Sequence, residues 1–209
     1  MERDLSIAIS GTPGTGKTSL GEIFASEQIK VLSVKELAED YGYIGDLDSK
    51  DGSKEVDIHR LSNDWQHDDS GIIVVEGHLS HFLDVDAIIV LRCDPDILQK
   101  RLELRGYSEQ KIKSNIEWEL ISGIWSELLE FEIEVPILEI DTTEQDIEQS
   151  YRDAIVWLNG ELYPLTLEGL WICYVMAIPF FSQSLISTII YSAIIETLLH
   201  SKNFLKLLN

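Results

Sequence analysis

The stretch that most constrains this chain is Gly11-Thr-Pro-Gly-Thr-Gly16-Lys17-Thr18, set directly behind the apolar run Leu5–Ser10. Its spacing, Gly-x4-Gly-Lys-Thr, is that of a Walker A loop, and each residue type has a physical reason. Glycines let the backbone curl until successive amides point at phosphate oxygens, where side chains would block the approach. A helix starting at Lys17 adds its positive end to the same anion site. Lys17 is expected to bridge the outer phosphates, and Thr18 to offer its hydroxyl to Mg²⁺. A buried strand before the loop and a helix after it leave few architectures open.

The rest of the chain repeats that alternation. Leu5–Ser10, Ile29–Ser33, Ile72–Val75, Ala87–Leu91 and Pro136–Ile140 are short apolar runs, the pattern of strands buried on both faces of a parallel sheet. Helical patterns fall between them at Lys17–Gln28, Val34–Asp40, Asp57–Trp65, Asp94–Leu104, Ser108–Glu134 and Thr143–Leu158. Asp94-Pro95 is a strong helix opening, an N-cap followed by proline at the first helical position. Thr143 with Asp146 is a weaker one. The expected fold is therefore a three-layer α/β domain with a five-stranded parallel sheet, spanning 1–160. Residues 41–56, rich in Gly, Asp and Ser, read as a loop.

Two further places can carry chemistry. The run Ile72–Val75 ends in Glu76-Gly77-His78. Beside a phosphate loop, a carboxylate at such a strand end can hold Mg²⁺ through water, so Glu76 is the candidate. Gly77 lets the backbone pass close to substrate, and His78 can orient a water or a phosphoryl acceptor, or act as a base. Nearby His81 lacks such support and reads as surface or packing. Arg101 and Arg105 lie four apart on one helical face, just before Gly106. An arginine fork closing over the loop would neutralise charge on a transferring phosphoryl group. Pairing with Glu103 or Glu109 on a solvated helix is the competing role.

The formal charge is −21, and residues 1–160 carry −20 of it. So acidic a surface argues against broad nucleic-acid binding, which needs a Lys/Arg footprint. It suits solubility, or attraction to a basic protein partner. Cys93 and Cys173 have neither CxxC spacing nor a metal-ligand context, and Met1 leads quickly into a strand, so a reduced, cytoplasmic compartment is expected. Beyond 160 the composition changes. Gly169–Ile195 holds no charged residue over 27 positions, long enough for a ~30 Å hydrocarbon core, although Pro179 interrupts it. A membrane-associated tail over 161–209, a packed helical hairpin and a gene-model artefact all remain open.

With the loop, the strand end and the arginine helix together, the chain resembles the adenylate kinase isoenzyme 6 family. The resemblance rests on GTPGTGKTSLGEI (11–23), SVKELAED (33–40), VEGH (75–78) and LRCDPDILQKRLELRGYSEQKIKSNI (91–116), and spans about 5–158. It implies ATP-dependent phosphorylation of AMP, with Mg²⁺, together with ATPase activity linked to small-ribosomal-subunit maturation through a ribosomal protein. Residue by residue it implies ATP binding at Gly14, Gly16, Lys17, Thr18 and Ser19, with Arg105 closing from a lid over 104–114. The monophosphate region would lie at 32–55. The family's acid-x-His pair falls on Glu76 and His78, where some members have Asp. Acidic Glu39 stands where some members carry a base, a departure that bears on AMP affinity; Arg60 and Lys35 are the candidate compensating cations. A P-loop kinase acting on another small metabolite is the alternative enzyme.

Overall fold

The computed structural model describes residues 4–47, 54–66 and 71–161. Strand β1 (Leu5–Gly11) runs into α1 (Lys17–Ser26), and β2 (Lys30–Ser33) into α2 (Val34–Asp40). A hairpin of β3 (Ile44–Leu47) and β4 (Lys54–Val56) precedes α3 (Ile58–Asp64). Then come β5 (Ile72–Glu76), a 3₁₀ turn at Ser80–Phe82, β6 (Ala87–Arg92), α4 (Pro95–Leu104), α5 (Glu109–Leu120) and α6 (Gly123–Glu130). Strand β7 (Ile137–Asp141) and α7 (Ile147–Glu161) complete the described part.

The five apolar runs form one parallel sheet in the order β2-β5-β1-β6-β7. Strand β1 is central, and the chain crosses from one side of it to the other between β5 and β6. That is the switch point where open parallel sheets hold ligands, at the carboxyl ends of the strands. Ile7, Ala8, Ile9, Val74, Val75, Ile88, Ile89 and Val90 are fully buried, as strands covered on both faces require. On one face Ala8, Val75, Ile88 and Val90 pack with Val34, Leu37, Ile58, Leu61, Trp65, Ile124 and Leu128. On the other, Phe24 of α1 meets Tyr151 of α7 edge-on at 4.9 Å.

Three expectations need correction. Residues 41–56 contain the antiparallel β3–β4 hairpin as well as loop; its register is irregular and its strands short, so no clean alternation marks it. The single helix expected over Ser108–Glu134 is two, broken at Ser122, whose φ of 53° is left-handed. The break brings Gly123 under the ring of Trp118, so close that a Cβ on Gly123 would fall 2.1 Å from a ring carbon. Finally, Thr143 does not open the last helix, which begins at Ile147; its hydroxyl instead accepts the amide of Asp94 at 2.8 Å.

The chain divides into two units, Met1–Trp157 and Leu158–Asn209. Of the second only 158–161, the end of α7, lies among the described residues, so the membrane, hairpin and artefact readings of 161–209 fall outside them. Among the described residues no helix is long and apolar enough to cross a membrane.

Candidate active site

The loop between β1 and α1 is built on backbone conformations that side chains resist. Gly14 and Gly16 have φ of 96° and 102°. A Cβ on Gly14 would also lie 2.9 Å from the Leu98 methyl of α4, so the loop is seated directly on that helix. Lys17 is buried, with 9% of its surface exposed, and its Nζ donates to the carbonyls of Gly11 (2.8 Å) and Thr12 (3.0 Å). Burial pulls its pKa down to about 8, aided by the positive charge of Arg105 and opposed by Glu76 and Glu119. Ser19 lies exposed on the first turn of α1.

The two proposed metal residues meet. Thr18 Oγ1 donates to Glu76 Oε2 at 3.4 Å, across from α1 to the end of β5. Burial raises the Glu76 carboxyl above its usual range, while Lys17 and the Thr18 hydroxyl pull it back. A groove of about 190 Å³ opens beside the pair, lined among others by Gly21, Glu22, Val31, Ser33 and Glu36. Ser33 caps α2 there, in a reciprocal capping box with Glu36. Gly77 follows with Val34 so near that a Cβ would lie 2.7 Å from its methyl. Glycine is thus what lets α2 close on the strand end.

His78 turns back onto the loop, its Nδ1 3.1 Å from the Gly11 carbonyl. A carbonyl only accepts, so Nδ1 carries the proton and Nε2 keeps its lone pair. Burial and the Lys17 charge lower its pKa below 6.5, so the imidazole is neutral at neutral pH. His81 is packing rather than surface: it is 1% exposed, between Ser10 (2.8 Å) and Glu127 (3.0 Å).

The two arginines part company. Arg105 is the exposed C-cap of α4 and makes no ion pair among the described residues, yet its charge is felt at Lys17. Arg101 is an anchor: its guanidinium donates to the carbonyls of Thr142 (2.7 Å) and Thr143 (3.3 Å). Neither candidate acceptor cation lines the groove beside Thr18 and Glu76. Arg60 is paired with Asp57 at 3.2 Å, and Lys35 is exposed.

Sequence reasoning missed the residues that hold the loop from outside. Thr142 Oγ1 lies 2.9 Å from the carbonyl of Thr15. Glu119, 3% exposed, receives the hydroxyl of Thr12 and is paired with Arg92. One signal pointed to Glu119: it falls seven residues after Ile112 and three after Ile116, an acid on the apolar stripe of a helix.

A phosphate loop at the head of the central strand, a lysine within it and a hydroxyl–carboxylate pair beside it define a class, the P-loop nucleotide kinases. The comparisons agree. The family described as an AAA domain matches residues 7–122. A protein of Archaeoglobus fulgidus named "Putative adenylate kinase" is 46% identical over 74% of this chain and 83% of its own length. Proteins of the same name from Thermococcus onnurineus and Methanocaldococcus jannaschii are 39% and 36% identical, over 84% and 83% of their lengths. The chain belongs to this family of archaeal P-loop kinases. Residues 151–204 also match a second family, one of unknown function.

Proposed function

We propose that the chain is an adenylate kinase of the isoenzyme 6 type, transferring the γ-phosphoryl group of ATP to AMP. The observation that carries this reading is the gathering of Lys17, Thr18, Glu76 and His78 at the carboxyl end of β1 and β5, with the Arg105 charge reaching Lys17. The names of the archaeal relatives support it.

The geometry supports a role for each residue. Amides of 14–19 and the α1 N-terminus receive the phosphates. Lys17, seated on its two loop carbonyls, has a third N–H for a phosphate oxygen, and Arg105 supplies the second positive charge as the Pγ–O bond to ADP breaks and the bond to the acceptor forms. The hard oxygens of Thr18 and Glu76 fit Mg²⁺, which prefers carboxylate, hydroxyl and phosphate oxygens. Mg²⁺ would neutralise phosphate charge there. His78 Nε2, unprotonated, can accept a hydrogen bond from a water on the acceptor side, not from the phosphate oxyanion itself.

One observation favours a second reading, in which water is the main acceptor. Glu22, Glu36 and Glu76 all line the groove beside the site, and a monophosphate dianion is repelled by them. A neutral His78 can take the proton that water must lose, whereas AMP attacks as an oxyanion with none to give up. In that reading ATP hydrolysis serves an assembly step with a basic small-subunit ribosomal protein, and the charge of −21 supports such a partner.

A coupled assay of ADP formation with and without AMP separates the two. The kinase reading expects AMP to raise ADP formation well above bare hydrolysis, and Lys17→Ala to abolish both. No stimulation by AMP would overturn the adenylate kinase reading and leave the ATPase or a kinase of another small metabolite.

A further inference from the structure

Glu119 is a carboxylate in an unexpected place. It lies near the C-terminal end of α5, the helix that follows the Arg105–Gly106 turn, and only 3% of it is exposed. A buried charge persists only when it is paired and hydrogen-bonded. Here every partner is a donor. Arg92 Nε reaches Oε1 at 2.5 Å and the Cys93 amide reaches the same oxygen at 3.1 Å. The Thr12 hydroxyl donates to the other oxygen, Oε2. Arg92 Nη2 also donates to the backbone carbonyl of Glu119 at 2.8 Å. The end of α5 is therefore clamped to the end of β6 and to the phosphate loop at once.

What Glu119 holds is specific. Thr12 is fully buried, and its carbonyl is one of the two that receive Lys17 Nζ; the same carbonyl accepts the Thr15 hydroxyl at 2.9 Å. Glu119 thus grips the residue that seats the catalytic lysine, from the helix next in sequence to the arginine. Its negative charge is felt at both Lys17 and His78.

We propose that Glu119 is a positioning residue for phosphoryl transfer: through Thr12 it fixes the loop against the arginine-bearing segment, and so sets Lys17 relative to Arg105. Arg92 completes the arrangement by neutralising the carboxylate and orienting it. The proposal rests on the reading of this site as a phosphoryl-transfer centre, but not on the identity of the acceptor.

The test compares Glu119→Gln, Thr12→Val, Thr12→Ser and the double variant Thr12→Val/Glu119→Gln. Turnover of ATP is measured with whichever acceptor the wild-type protein uses, well below each variant's own unfolding temperature, and ATP affinity is measured by calorimetry. Glutamine keeps the shape but offers one oxygen and an NH₂ group to partners that are all donors. Displacement of reacting groups by about 1 Å costs on the order of 100-fold, so Glu119→Gln and Thr12→Val should each lower kcat by about 10- to 100-fold. ATP affinity should change by less than about threefold. The double variant should be no slower than the worse single variant, and Thr12→Ser, which keeps the hydroxyl, should restore kcat to within about threefold. A folded Glu119→Gln protein with wild-type kcat, a loss confined to KM, or multiplying losses in the double variant would each overturn the proposal. Should Glu119→Gln not fold, Thr12→Val against Thr12→Ser decides alone, since both leave the Arg92–Glu119 pair intact. Absence of any ATP turnover in the wild-type protein would count against the function itself and not against this clamp.

Discussion

Lys17 shows what a phosphate site costs the fold. Its ammonium is buried on two carbonyls, and burial draws its pKa from 10.5 to about 8. A lysine whose folded pKa lies below its unfolded value destabilises the protein wherever both states are protonated, here below about pH 8. The penalty is relieved as pH rises from about 8 to 10.5, because the unfolded chain then binds more protons than the folded one. Lys17→Met removes a penalty of about 3 kcal/mol and loses two hydrogen bonds of about 1 kcal/mol each, so it should stabilise the protein at pH 7 by about 1 kcal/mol. Thermal unfolding at pH 7 and pH 10 checks this: the variant should melt higher at pH 7, and its advantage should shrink toward pH 10. An equal advantage at both pH values would mean that the charge is not what strains the site. Glu76, whose carboxyl is also pushed toward its neutral form by burial, belongs to the same trade of stability for function.

Among the elements, the start of α4 was the most legible part. Asp94 accepts the amides of Asp96 (2.9 Å) and Ile97 (3.4 Å), with Pro95 at the first helical position, as the sequence alone suggested. Asp94→Ala should cost about 1 kcal/mol in denaturant unfolding while leaving ATP affinity unchanged, since α4 meets the loop through Leu98 and Leu102 rather than through its cap. Lost nucleotide binding would show instead that the cap positions the loop. The break between α5 and α6 was not legible. Ser122 is an ordinary helix residue by propensity. Its left-handed conformation follows from Arg92 reaching its hydroxyl (3.2 Å) and from Trp118 lying on Gly123, both contacts made only once the fold is complete. The β3–β4 hairpin was missed for a related reason: strands of four and three residues carry too little pattern to stand out.

At the scale of the whole molecule, charge opposes the substrate. A protein of net charge −21 repels ATP, and local cations and amides must overcome that field. Added salt screens the repulsion over a Debye length of about 30 Å at 0.01 M but about 8 Å at 0.15 M. The KM for ATP should accordingly fall, by roughly two- to threefold, between those ionic strengths. A rise would mean that local attraction at Lys17 and Arg105 outweighs the global field. The sequence by itself determined the Walker loop and the five strands, because these are local patterns; that Thr18 meets Glu76, 58 residues on, came from the fold. Gly11–Thr18 meant only that phosphate is bound; the neighbours of the loop came from elsewhere in the chain. That His78 is held by Gly11, that Arg101 anchors while Arg105 stays exposed with its charge felt at Lys17, and that Glu119 grips Thr12 from 107 residues away were decided by tertiary structure. Burial and the pairing of most buried donors and acceptors act across distances that no sequence window contains.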